Sequence, residues 1–225
     1  MIEILKGNIF TTNRQVIVNN INCVGVMGAG IALECRLRYP EMFLKYQALC
    51  QEKNIDIGKL WIYKAEHRWI LNFPTKKHWK YPSKVDYLHA GLEKFMATYK
   101  ERNIESIAFP LLGADRGGIA PEESLNIMLS YLQHADIPVD IYQYDPKASD
   151  DLYQKVHNWL KSKTIDEIMT LTGLRRNYVE SVCSAMESGK IYQLNQLANV
   201  KGIGIKTIEK VFEISRKKHE QISLF

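Results

Sequence analysis

Two glycine-bearing turns and one basic, aromatic segment hold most of the residues in this chain that could do chemistry. The first turn lies in residues 14–40, RQVIVNNINCVGVMGAGIALECRLRYP. Val16, Ile17 and Val18 read as a buried strand, which opens into Asn20 and Asn22. Gly25, Gly28 and Gly30, with Val26 and Met27 among them, then free the backbone for close approach, and residues 31–37 have helical periodicity. Bare N–H groups ahead of a helix N-terminus suit a phosphorylated ligand. The spacing is neither a P-loop, because Ile31 and Ala32 follow Gly30 where Lys and Ser/Thr belong, nor a Gly-x-Gly-x-x-Gly fingerprint. A turn that only packs a strand against a helix is the alternative reading.

The second turn, FPLLGADRGGI at residues 109–119, repeats the first in outline. A short strand ends at Phe109. Leu112, Gly113, Ala114, Asp115, Arg116, Gly117, Gly118 and Ile119 form the turn, and Pro121, Glu122 and Glu123 open a helix. Two such strand–glycine–helix units at the carboxyl ends of neighbouring strands could hold a diphosphate from both sides. The third segment, NFPTKKHWKYPS at residues 72–83, interleaves Lys76, Lys77 and Lys80 with His78, Trp79 and Tyr81. By composition alone it is a solvated basic loop after a strand at residues 69–73.

The elements that must position these segments alternate. Strands are expected at residues 2–5, 16–21, 60–65, 69–73, 106–109 and 139–144, with helices at 30–37, 40–52, 85–102 and 121–133. This order predicts an α/β fold of three layers, α/β/α, with a mixed sheet between helices.

With LKGNIF at residues 5–10, the ordered motifs resemble the macrodomains, a family that binds ADP-ribose between two such loops. NCVGVMGAGIA followed by NFPTKKHW is similar to the branch that contains DarG and the terminal ADP-ribose protein glycohydrolases. The resemblance covers residues 1–148, and it implies ADP-ribose contacts from Asn8 and Ile9, from both glycine turns and from Tyr144. Asn8 replaces the family's usual aspartate, so its uncharged carbonyl would accept the adenine amino hydrogen more weakly. Asn20 and Asn22 either satisfy loose backbone groups or, as the family implies for Asn22, contact the distal ribose.

The same resemblance makes Lys76 the catalytic lysine. A neutral amine can attack the anomeric carbon of a glycosidic ADP-ribose bond, and desolvation or neighbouring cations such as Lys77 and Lys80 would lower the ammonium pKa. Asp115 either resolves an adduct or activates water as a general base, or is a turn-forming residue beside Arg116. Cys23 reads as a structural thiol, since no His and acid stand at a cysteine-protease spacing. His67, His78 and His89 have no metal-ligand spacing with Cys23, Cys35 or Cys50, so no metal and no cofactor are expected.

The 225 residues carry four scattered cysteines, no leader-like start and no apolar run near the roughly 20 residues that span a bilayer. A cytoplasmic protein without membrane contact is expected.

A polar stretch at residues 145–151 marks a boundary, with a small all-α domain at residues 149–225. IDEIMTLTGLRRNYVESV from Ile165 repeats as LNQLANVKGIGIKTIEKV from Leu194 at a constant offset of 29. The second copy resembles a helix-hairpin-helix motif, whose Gly202 and Gly204 amides, flanked by Lys201 and Lys206, would meet a DNA phosphate. The first copy keeps Gly173 and offers Arg175 and Arg176, and Arg216, Lys217, Lys218 and His219 could extend the contact. An ordinary helical interaction domain is the alternative.

Three function classes follow. The first is removal of ADP-ribose from modified DNA bases, as an antitoxin or in repair, with a DarT-like transferase as implied partner. The second is hydrolysis of ADP-ribose from protein carboxylates. The third is an ADP-ribose reader without catalysis.

Overall fold

The computed structural model describes residues 1–216, which divide into two units, Met1–Asp145 and Pro146–Phe225, the latter described as far as Arg216. Lys217, Lys218 and His219 lie outside the described residues.

In the first unit, side-chain alternation on the central strands builds the layers. The strands are β1 (Ile2–Gly7), β2 (Val16–Asn22), β3 (Trp61–Lys64), β4 (Trp69–Lys76), β5 (Ile107–Pro110) and β6 (Val139–Tyr144). They form one six-stranded sheet in the order β1-β6-β5-β2-β4-β3, parallel except for β3 against β4. On β2, β4 and β5, Ile17, Ile70 and Ala108 point to one face, where they meet Cys35 of α1 (Gly30–Arg38) and Met42 and Tyr46 of α2 (Pro40–Gln51). Val16, Val18, Leu71, Phe73, Ile107 and Phe109 point to the other face. There they meet Leu88 and Phe95 of α3 (Val85–Thr98) and Met128 of α4 (Pro121–Leu132). The expected three-layer arrangement with a mixed sheet is present. Burial on both faces explains why β2 and β5 read as continuous apolar runs rather than alternating ones.

β4 departs from the expected span. It continues past residue 73 through Pro74 and Thr75 to Lys76. Its register with β2 shifts there: Ile21 pairs with Pro74, and Asn22 pairs with Lys76, leaving Thr75 as the extra residue. Proline has no N–H for the ladder, so a strand containing it tolerates a bulge at that point, and a bulge re-aims the side chain that follows. Lys76 is therefore the last residue of a central strand and not a member of a solvated loop.

The second unit contains α5 (Tyr153–Lys161), α6 (Ile165–Thr172), α7 (Arg176–Glu187), a 3-10 segment at Leu194–Asn199, and α8 (Ile205–Arg216). The sequence repeat is also a structural one. The segments beginning at residues 165 and 176 have counterparts beginning at 194 and 205, the same offset. Gly173 and Gly202 occupy equivalent turns and are both left-handed, with φ of 70° and 89°. Among the described residues no helix is long and apolar enough to cross a membrane.

One packing contact fixes how α3 lies against the site-bearing strand. A Cβ built on Gly91 would stand 2.1 Å from Cζ of Phe73, whose side chain is fully buried. Gly91→Ala is expected to lower unfolding free energy by about 1–3 kcal/mol through overpacking, read as a lower midpoint in urea.

Candidate functional site

The loop that leaves β4 is tied to both glycine turns. The Cys23 amide, at the entrance of the first turn, donates to the Lys77 carbonyl at 3.3 Å. The Ser83 amide, at the other end of the exit loop, donates to the Gly117 carbonyl of the second turn at 2.8 Å. Ser83 packs so closely on that turn that a Cβ on Gly117 would lie 2.6 Å from its Oγ, which explains a glycine there without any need for positive φ.

The first turn is organised by Asn22. Its Oδ1 accepts from the amides of Val24 at 3.0 Å and Val26 at 3.3 Å, and its Nδ2 donates back to the Val26 carbonyl. The Tyr46 hydroxyl from α2 donates to the Asn22 carbonyl at 2.6 Å and also reaches Oδ1 at 3.1 Å. The Asn22 amide is thus engaged by the turn itself and shapes its backbone. Asn20 is differently placed: its Nδ2 makes only a long 3.4 Å bond to the Leu111 carbonyl, and its Oδ1 has no protein partner. Gly25 and Gly30 are left-handed, with φ of 79° and 57°. Ala29, the N-cap of α1, offers no side-chain cap, which leaves first-turn amides of the helix for a ligand.

The second turn contains three left-handed residues, Gly113 at 66°, Asp115 at 49° and Gly118 at 83°. Asp115 is the one non-glycine among them, a conformation Asp tolerates better than most residues. It opens a short 3-10 turn, Asp115–Gly117. Leu112 and Ile119 are buried beneath, while Asp115 and Arg116 are exposed.

Lys76 joins the pieces. Its Nζ donates to the carbonyl of Arg116, so the strand end reaches across to the second turn. Partial burial pulls its ammonium pKa below the ordinary lysine value, the Arg116 charge pulls it further, and Asp115 opposes both. The expected cations are not among the causes: Lys77 is paired with Asp56, and the Lys80 ammonium lies 5.2 Å from the Trp79 ring centre.

Cys23 has its thiol pushed up to about 11, first by burial and then by Asp56, so it stays protonated at neutral pH. No group of three metal-ligating side chains occurs among the described residues.

Asn8 caps the 3-10 turn Ile9–Thr11, its Oδ1 accepting from the Phe10 amide at 3.0 Å. Its Nδ2 has no partner. The uncommitted end of this side chain is therefore a donor, whereas the sequence reading cast its carbonyl as the base-reading group. Tyr144, at the end of β6, is 58% exposed.

A family model described as the Macro domain matches residues 18–128. The fold superposes on the macrodomain of Mycobacterium tuberculosis DarG with a TM-score of 0.61 at 40% identity, covering 63% of this chain and 97% of that one. The chain belongs to the macrodomain family. It is also similar to Thermus aquaticus DNA ADP-ribosyl glycohydrolase, 33% identical over 168 residues, 73% of this chain and 45% of the relative. Thermosipho africanus DarTG in complex with ADP-ribose superposes with a TM-score of 0.60 at 32% identity, over 64% of this chain and 42% of that one. The chain spans less than half the length of the curated relatives it matches.

Sequence reasoning missed three contributors to this macrodomain's cleft. Tyr46 lies in an apolar helix and gives no sign of its role. Ser83 looks like a loop serine. Thr75 is hidden by Pro74, although a proline inside an apolar strand was itself a cue to a bulge.

Lys76 sits between an opposing cation and anion, so two substitutions should move it in opposite directions. Removing the positive neighbour in Arg116→Gln should raise the Lys76 pKa, and removing the negative one in Asp115→Asn should lower it. Side-chain carbon shifts of Lys76 followed by NMR over a pH titration would measure both.

Proposed function

We propose that this macrodomain is an ADP-ribosyl glycohydrolase that removes ADP-ribose from a modified DNA base. The observation that carries the reading is Lys76, paired with Asn22 at the end of β4 and with its Nζ on the Arg116 carbonyl of the second turn, in a chain similar to DNA ADP-ribosyl glycohydrolases. On this reading the diphosphate lies across the turn amides and the first turn of α1, with Asn20 near the distal ribose and Asn8, Ile9 and Tyr144 at the base end. The lowered pKa of Lys76 raises the fraction of neutral amine available to attack the anomeric carbon as the modified base departs. Asp115, exposed in the turn that holds Lys76, then activates the water that frees ADP-ribose.

The second unit is proposed to hold DNA. Its two left-handed glycine turns lead into α7 and α8, and Lys201 and Lys206 flank the second turn. Residues 151–225 carry twelve Lys and Arg against eight Asp and Glu, which favours backbone association that weakens with salt. Arg176 is paired with Asp166, and Arg175 stands where the second hairpin has Gly204, which leaves the second hairpin the stronger candidate. A transferase of the kind joined to a glycohydrolase in the Thermosipho africanus fusion protein is the implied source of modified DNA.

Asp115 also favours a second reading, hydrolysis of ADP-ribose from protein carboxylates, where a general base beside the distal ribose suffices. Oligonucleotides ADP-ribosylated on thymidine or guanosine, set against a glutamate-ADP-ribosylated protein, separate the two.

Lys76→Ala should lower release from the oligonucleotide at least about 100-fold while calorimetric ADP-ribose binding survives. Unimpaired release would sink the lysine mechanism. Gly204 gives a matching test in the second unit. It has no positive φ and a Cβ there meets nothing within 4 Å, so Gly204→Val should fold normally yet weaken binding to long duplex DNA.

A further inference from the structure

The loop between the two ties, residues 77–83, carries more exposed aromatic surface than its own packing explains. Trp79 is 49% exposed and Tyr81 66% exposed, although both are large rings within a well-tied segment. The loop is not slack. The Tyr81 amide donates to the His78 carbonyl at 3.1 Å, and the Lys80 amide reaches the His78 ring at 3.3 Å, closing a turn. His78 stacks on Trp79 with centroids 5.7 Å apart and planes 24° from parallel, and meets Tyr81 at 5.4 Å. Three rings thus form one cluster, with its imidazole at the centre and its two larger rings open to solvent.

The electrostatic setting selects the occupant. Lys76, Lys77, Lys80 and Lys84 fall within nine residues that contain no acid; of the acids that face this stretch, Asp56 is engaged by Lys77 and Asp115 acts on Lys76, beside Arg116. An apolar protein partner would gain nothing from Lys80 and Lys84. A membrane surface would meet two rings with no apolar face around them. Unpaired nucleobases match both features, because every base offers a π-face to a ring and every linkage a phosphate to an ammonium. Paired bases in a duplex do not present those faces.

We infer that Trp79 and Tyr81, braced by His78, are a stacking platform for the nucleotides flanking the ADP-ribosylated one, with Lys80 and Lys84 holding their phosphates. The inference rests on the DNA glycohydrolase reading above. The two ties give it a geometric basis. The same hydrogen bonds that hold the loop to Cys23 and Gly117 fix the platform beside the strand end that carries Lys76, so a strand lying on the rings delivers its modified base to that lysine. These rings are positioning groups for the strand and take no part in bond cleavage.

The test compares ADP-ribose release from two substrates, a single-stranded oligonucleotide with one ADP-ribosylated base and the corresponding ADP-ribosylated nucleoside. Trp79→Ala and Tyr81→Ala should each lower the ratio of oligonucleotide to nucleoside kcat/KM about tenfold, and Trp79→Phe should restore most of it. An unchanged ratio, or equal loss on both substrates, overturns the platform and leaves only a structural role for the rings. Should the wild-type protein cleave neither substrate, the glycohydrolase reading fails instead. The platform is then decided by binding of unmodified oligothymidylate to the full chain. The Trp79→Ala, Tyr81→Ala double variant should bind it at least about tenfold more weakly than wild type, with duplex binding equal in both. Equal oligothymidylate binding overturns the inference.

Discussion

Two backbone hydrogen bonds decide where everything else in the cleft stands. One runs from the Cys23 amide to the Lys77 carbonyl and the other from the Ser83 amide to the Gly117 carbonyl. Together they fasten the exit of β4 to both glycine turns, which β2 and β5 carry on either side of the sheet's centre. Backbone bonds of this kind depend on main-chain position and are indifferent to side-chain rotamer, so they hold geometry that long lysine and arginine side chains could not. The bulge at Thr75 completes the arrangement by bringing Lys76 opposite Asn22 at the end of the strand.

The electrostatics follow from that placement. Lys76 is drawn onto the Arg116 carbonyl, loses part of its hydration, and faces one cation and one anion from the same short turn. Its lowered pKa comes mainly from where the strand ends, and only secondarily from charge. The neighbouring lysine that looks equivalent in sequence, Lys77, is raised by its pairing with Asp56. Lys77 stands one residue past the end of β4, where the chain bends and its ammonium pairs with Asp56.

Much of this was legible from residue types. The apolar runs of β2 and β5, the glycines after them and the helix starts at Gly30 and Pro121 specify a three-layer fold with two glycine turns at the ends of central strands. The internal repeat was legible too, because a constant offset survives even where Arg175 stands in place of the second glycine. What was not legible depends on contacts between distant segments. The roles of Tyr46 and Ser83 arise from hydrogen bonds across more than 20 residues of chain, which no local pattern encodes. Asn22 matches a ligand-contacting position by motif, yet it is held by Val24, Val26 and Tyr46. Asn8 likewise matches by motif, but its capping of Ile9–Thr11 engages the carbonyl and leaves a buried donor, Nδ2, without a partner.

The central claim is that the strand end and the two turns make one cleft in which Lys76 meets the distal ribose. A crystal structure of the complex with ADP-ribose tests it most directly. The account predicts the diphosphate on the amides of both turns and the anomeric carbon about 3–3.5 Å from Lys76 Nζ, the separation of a near-attack arrangement. A ligand bound with its distal ribose turned away from Lys76, the ammonium still on the Arg116 carbonyl, would contradict it.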